Sequence, residues 1–118
     1  MSYIGTREVT ATIAINTSLS AAVELKGADV LRIAMPAAWT AADLTFQVSD
    51  DAGTTFRNVY WDWGPEMVVD ADAAMTIELS PFVGLHNIDQ LKVRSGTAGT
   101  PVAQAAERVI LLAVGAKD

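Results

Sequence analysis

The sequence predicts an all-β fold: one β-sandwich domain over residues 1–118, in jelly-roll form, with about eight strands. Three observations carry this expectation. Apolar and polar residues alternate with period two in segment after segment, which puts apolar side chains on one face of a strand. Clusters of Gly, Pro, Asn and Asp punctuate the chain roughly every 8–12 residues, the spacing of short strands joined by turns. No segment sustains a helical period. With 118 residues, 51% of them apolar, the chain can bury a core, and disorder is excluded.

Val9, Ala11, Ile13 and Ile15 alternate with Thr10, Thr12 and Ala14, predicting a first strand that ends at an Asn16-Thr17 turn. Leu19, Ala21, Val23 and Leu25 repeat the pattern. A turn is expected at Lys26-Gly27-Ala28-Asp29, after which Leu31, Ile33 and Met35 face inward. Pro36 to Ala42 interrupts the meander, because Pro36 has no N–H for a ladder and the stretch is too short for an independent helix. A structured loop with Trp39 against the core is expected there.

A β-hairpin follows over Asp43 to Trp61. Leu44, Phe46 and Val48 alternate with Thr45, Gln47 and Ser49. Asp50-Asp51-Ala52-Gly53 has turn chemistry, since Asp bonds its own backbone and Gly accepts positive φ. Thr54 to Trp61 is rich in the β-branched and aromatic residues that suit a pleated surface. Gly64-Pro65 ends the hairpin, and a short strand is expected at Glu66 to Val69. Asp70-Ala71-Asp72 turns the chain, and Met75, Ile77 and Leu79 alternate against Thr76 and Glu78. Ser80 to Gly84 reads as a tight corner. Leu91 and Val93 then face in, with Gln90, Lys92 and Arg94 outward. Val109 to Val114 is an unbroken apolar run, which predicts a strand covered on both faces, by its own domain or by a neighbouring subunit. The terminal strands are expected to lie near each other.

Charge and composition remove several function classes. The net charge is −6, with acids dispersed and no Lys/Arg cluster, so binding to nucleic-acid phosphates is not expected. No apolar run spans a bilayer and the first residues lack a secretion signal, so no membrane association is expected either. The absence of cysteine excludes thiolate chemistry and points to assembly inside a cell. His86, the sole histidine, has no nucleophile motif beside it and no second imidazole or thiol for a metal; it reads as a turn-capping loop residue. Asp50, Asp51, Asp62, Glu66, Asp70 and Asp72 lack calcium-loop spacing and read as solvated acids. Asp50 and Asp51 sit in one turn, whereas glycoside hydrolysis needs two carboxylates across a cleft. No catalytic residue, cofactor or metal is expected.

Two stretches read as contact surfaces. Tyr60, Trp61 and Trp63 cannot all face the core of one strand, so at least one ring is expected at the surface or an interface. The competing reading is a core rim closing over Gly64-Pro65. Ser95 to Ala106 is a long loop of small polar residues whose one large apolar anchor is Val102, with Arg94 and Arg108 at its bases. It is expected to be mobile in the free protein and ordered against a partner. Tyr60, Trp61, Trp63, Arg94, Val102 and Arg108 are therefore the candidate interface.

Ser49-Asp50-Asp51-Ala52-Gly53-Thr54-Thr55-Phe56 resembles the Asp-box, S-x-D-x-G-x-T-W/F, with Phe at the aromatic position. That resemblance implies a hairpin whose turn is set by Ser49, Asp51 and Gly53, with the Phe56 ring packed under it. The hairpin is also similar to the V-S-D-G-x-x-W segment of discoidin-type, galactose-binding-like jelly rolls. A longer likeness lies within Met35 to Leu112, about two thirds of the chain. The blocks PAAWTAADLTF and RSGT…PV-Q-AA-R resemble small proteins encoded among the structural genes of tailed bacteriophages and gene transfer agents. Many of those carry D-G-G where this chain has Asp51-Ala52-Gly53.

That resemblance implies a non-enzymatic virion protein, assembled in the bacterial cytoplasm. It would be a capsid decoration, or cement, protein contacting the major capsid protein or other virion proteins as a homo-oligomer on the particle. Other expectations are a head-spike base, a tail component, or a module that stacks host glycans on Trp61 and Trp63.

Overall fold

The computed structural model describes residues 3–79 and 84–117, so most of the corner expected at Ser80 to Gly84 lies outside the described residues. Seven strands form one antiparallel sheet: β1 (Tyr3–Ile13), β2 (Val23–Ala34), β3 (Leu44–Ser49), β4 (Arg57–Asn58), β5 (Thr76–Glu78), β6 (Ile88–Ser95) and β7 (Arg108–Lys117). Their order is β1-β7-β2-β6-β3-β4, with β5 added to β2. No helix occurs among the described residues. The all-β expectation holds. The terminal strands β1 and β7 pair directly, from Gly5↔Ala116 to Ile13↔Arg108 without a break.

β2 determines how the sheet is laid out. Its first half pairs β6 through Val23, Glu24 and Ala28, and from Asp29 onward it pairs β7. Arg32 to Ala34 also pairs β5. Between the halves, Lys26 and Gly27 take left-handed φ values of 54° and 83°, and the register with β6 slips. The turn expected at Lys26-Gly27-Ala28-Asp29 is therefore a bulge inside one twelve-residue strand. Positive φ serves a bulge as well as a hairpin. Here partners are waiting on both sides of the kink, so the chain bends without reversing. Arg7 Nη2 donates to the Leu25 carbonyl within this irregular stretch, at 3.1 Å.

Both halves of the sheet feed one core. Ala11, Ile13, Ile33, Ile110 and Leu112 from the β1–β7–β2 side are fully buried in the same cluster as Leu25, Leu44, Phe46, Leu91 and Val93. Trp39 packs against it as expected, its indole N–H donating to the Ala42 carbonyl at 2.9 Å. Elsewhere the alternation overreached. Ile15 is 56% exposed, Ala21 is exposed, and Leu19 makes a single bridge to Arg94. Buried Ser20 takes the place of an apolar residue, exchanging bonds with the Val93 backbone. Glu66 to Val69 forms isolated bridges, although Met67 and Val69 do point inward.

The apolar run in β7 is covered on one face. Ile110, Leu112 and Val114 are fully buried, whereas Val109 is 45% exposed and Leu111 and Ala113 are half-buried. β7 lies between β1 and β2 with core on one side, so among the described residues the far face of the sheet is only partly covered.

Gly27→Val tests the bulge, because a β-branched residue at φ 83° is strained. It is expected to lower the unfolding free energy by about 1–3 kcal/mol. A denaturation midpoint equal to that of the unsubstituted protein would contradict the bulged strand.

Candidate functional site

The hairpin between β3 and β4 is built around the Ser49 hydroxyl and the Asp51 carboxylate. Ser49 Oγ donates to Asp51 Oδ1 at 2.8 Å and accepts from the Gly53 N–H at 2.9 Å. Asp51 Oδ1 also accepts from the Thr55 N–H at 2.8 Å. The Thr55 N–H and then the Ser49 hydroxyl, both donating to the carboxylate, hold the Asp51 carboxyl below its usual range. Ala52 and Gly53 lie at φ 59° and 89°, and Thr54 N donates to the Asp51 carbonyl, the signs of a type I′ turn. Ala52 thus occupies a conformation that favours Gly, and its N–H is fixed by Asp89 Oδ2 at 3.0 Å. An added Cβ on Gly53 would lie 2.7 Å from Gln90 Oε1. Phe56 is half-buried beneath Lys92, whose ammonium sits 4.4 Å from the ring centre.

Past β4 the chain makes a second, smaller hairpin that divides the three aromatic residues. Tyr60 bridges Glu66, Trp61 N donates to the Pro65 carbonyl, and Gly64 N donates back to the Trp61 carbonyl. Trp61 packs half-buried against the core, which is the rim reading. Tyr60 and Trp63 are 57% and 75% exposed.

Arg94 anchors this hairpin from below. Sequence alternation placed it outward, but it is buried, as are Val93 and Ser95 beside it. Alternation fails because Glu66 brings a counter-charge onto that face of the strand. Arg94 Nη1 lies 3.2 Å from Glu66 Oε2 and 3.3 Å from Thr45 Oγ1, and Nη2 donates to Asn58 Oδ1 at 2.8 Å. Glu66 Oε1 accepts from the Ala98 N–H at 3.1 Å. One ion pair therefore ties β6, the aromatic hairpin and the 95–106 loop together.

That loop is far from loose. Gly96 bridges Pro101, Val102 N donates to the Ser95 carbonyl, and Gly96 N donates to the Asp43 carbonyl. Its second anchor is Gln104, fully buried. Gln104 Oε1 accepts from Thr40 N at 2.9 Å and Arg108 Nε at 3.0 Å, and Nε2 donates to the Thr40 carbonyl at 3.0 Å and Ser95 Oγ at 2.6 Å. The expectation of a loop free to order only on a partner missed Gln104. Its one sequence signal is being the long amide in a run of small residues. Val102 is half-buried, and Arg108 is spent on Gln104 and Thr40.

The acids scatter into local roles. Asp43 and Asp72 cap the Ala71 and Ala73 amides, Asp51 holds its turn, and Glu66 is paired. Among the described residues no three His, Asp or Glu converge on a point that could hold a metal. His86 Nδ1 stands 3.4 Å from buried Asp29, whose carboxylate accepts from Tyr3 Oη and the Asn87 N–H. Desolvation first, then the Asp29 carboxylate, pushes the Tyr3 phenol above its usual value. The Tyr60–Trp63 tip is thus an exposed aromatic hairpin standing on the Arg94–Glu66 ion pair.

Compared with models of protein families, with curated proteins and with solved structures, the chain matches none of them.

Two measurements check this arrangement. Arg94→Met leaves Glu66 without its partner and is expected to cost about 3 kcal/mol of stability, read by denaturant titration. Because Asp51 titrates lower when folded, its stabilising share is full above about pH 4 and is lost as pH falls through the depressed value. Asp51→Asn should flatten that part of the acid limb of a calorimetric Tm–pH curve. Identical acid limbs would rule out the turn network as its source.

Proposed function

We propose that this chain is a non-enzymatic structural protein of a tailed-phage-type particle. In this reading it is a decoration protein, assembled in the host cytoplasm, that docks in many copies on the major capsid protein. The observation that carries the proposal is the pair Tyr60 and Trp63, 57% and 75% exposed on a hairpin clamped by the ion pair of buried Arg94 with half-buried Glu66. Large aromatic rings on a rigid support lose little freedom when covered, which is why such residues dominate protein contacts. The likeness of PAAWTAADLTF and RSGT…PV-Q-AA-R to virion-gene products supports the same reading. The partly covered face of β7 offers a second apolar area for a neighbour.

The sandwich, in jelly-roll form, belongs to this proposal. Its support is the bulge at Lys26 and Gly27, which redirects β2 between two ladders, and the single core both ladders share. Placement at a head spike or in the tail would use the same surface. A glycan-binding module is the alternative of a different class, and it would need Trp63 to stack a sugar, since Trp61 packs on the core.

Trp63→Ala tests the proposal, because its ring supports little of the fold. Stability should stay within about 0.5 kcal/mol. Attachment to purified heads, measured by co-sedimentation, should weaken about 30-fold or more, as for a hot-spot residue. Unchanged attachment of both Trp63→Ala and Tyr60→Ala would overturn the assigned surface. Retention on immobilised glycans that is lost in Trp63→Ala would favour the sugar-binding reading.

A further inference from the structure

β1 lies at the edge of the sheet, paired to β7 on one side only. It is eleven residues long, the first stretch of it well exposed, with Ile4 at 73%. Proteins usually shorten or cover such an edge, because its unpaired N–H and C=O groups are a template for another strand. Among the described residues, the one backbone hydrogen bond on the free side runs from Ala21 N to the Thr12 carbonyl, 3.2 Å. That bond fixes which groups face outward. The register with β7 is unbroken from Gly5 to Ile13, so the backbone alternates throughout. If the Thr12 carbonyl points off the sheet, so do the N–H and C=O groups of Thr6, Glu8 and Thr10.

A second copy of the chain fits this edge poorly. Two β1 strands related by a two-fold axis can exchange bonds only between residues whose backbone groups both point outward. Like then meets like in position. The registers that fill the free stretch oppose Arg7 of one copy to Arg7 of the other, or Glu8 to Glu8, and like charges directly opposite are destabilising. Centring on Val9 brings Thr6 onto the place beside Thr12 that Ala21 already occupies. Centring on Thr6 runs into the register slip between Tyr3 and Gly5 and leaves only residues 5–7 laddered. The favourable match of Arg7 with Glu8 would pair an inward-bonded with an outward-bonded residue, which the backbone forbids.

A strand from a different polypeptide escapes that symmetry. We infer that the free edge of β1 accepts an extended segment of another protein, added antiparallel, with a basic residue opposite Glu8 and an acidic residue opposite Arg7. On an antiparallel partner these two residues are neighbours, reading basic then acidic. The edge is accessible to such a segment, since Ile4, Gly5, Thr6, Arg7 and Glu8 are all exposed. Backbone bonds supply affinity and the charge pair supplies register, as in other strand-addition complexes. The inference stands apart from the virion reading and uses none of its residues.

The test uses the full chain and two synthetic peptides of about ten residues, alternating Thr and Val around a central Lys-Glu or Glu-Lys pair. By NMR-detected amide exchange, the Lys-Glu peptide should slow exchange at Thr6, Glu8 and Thr10 and leave Arg7, Val9 and Ala11 as they were. It should bind about tenfold more tightly than its Glu-Lys counterpart, and the double variant Arg7→Glu, Glu8→Lys should reverse the preference. Glu8→Pro removes an outward N–H without touching the β1–β7 ladder, and should abolish binding while β7 amides stay protected. Lack of protection with either peptide, or equal affinity for both, would overturn the inference. So would a dimer in sedimentation whose formation protects the same three amides without peptide.

Discussion

A strand has two edges, and β2 serves three neighbours. β6 takes its first half, β7 its second half, and β5 the remaining edge beside Arg32 to Ala34. The sharing works because Lys26 and Gly27 bend the strand between its two ladders. Without that bend, Leu25 and Ile33 would have no reason to reach one core from different parts of the sheet. β1 depends on it too, since Arg7 braces the Leu25 carbonyl inside the irregular stretch. The layout is therefore set by a local backbone conformation, and hydrophobic burial then fixes it in place.

A second tier of organisation is polar and buried. Ser20, Asp29, Arg94 and Gln104 are each nearly inaccessible, and each joins a loop to the sheet. Ser20 holds the 14–22 connection to β6, and Asp29 holds the Asn87 turn and the Tyr3 hydroxyl. Arg94 holds the aromatic hairpin, and Gln104 holds the long loop against Thr17 and Thr40. Buried polar groups are costly unless satisfied, so each of these accepts few alternative arrangements. Loops that would otherwise drift are fixed by directional bonds. That fixation allows Tyr60 and Trp63 to project from a stable footing.

Where one local rule governed, the sequence was enough. The hairpin at Asp51 to Gly53 and the inward set Leu44, Phe46, Leu91 and Val93 follow from alternation and turn chemistry, and the nearness of the terminal strands from the usual closeness of chain ends. Legibility ended where a partner distant in sequence decided the outcome. Lys26-Gly27 has the composition of a turn, and only the presence of β6 on one side and β7 on the other makes it a bulge. Arg94 breaks alternation because Glu66, 28 positions earlier, is folded onto its strand. Gln104 closes contacts 64 residues away, at Thr40, which no local pattern encodes. Tyr60, Trp61 and Trp63 were legible as a group whose members must differ, but not as to which ring would turn inward.

The saturated amide of Gln104 has a consequence for how this chain tolerates change. Both its acceptor positions and both its donors are occupied, so the base of the 95–106 loop is matched to one geometry. At the tip the bonds are fewer: Ala98 is held by Glu66, and Thr97 and Thr100 bond each other across the turn. Gly99 is exposed and a side chain there would meet open space. Length and sequence can therefore vary at the tip while the base stays constant. A foreign peptide spliced after Gly99 would be carried on a rigid stem at the surface, making the loop a natural grafting point on an otherwise unyielding scaffold.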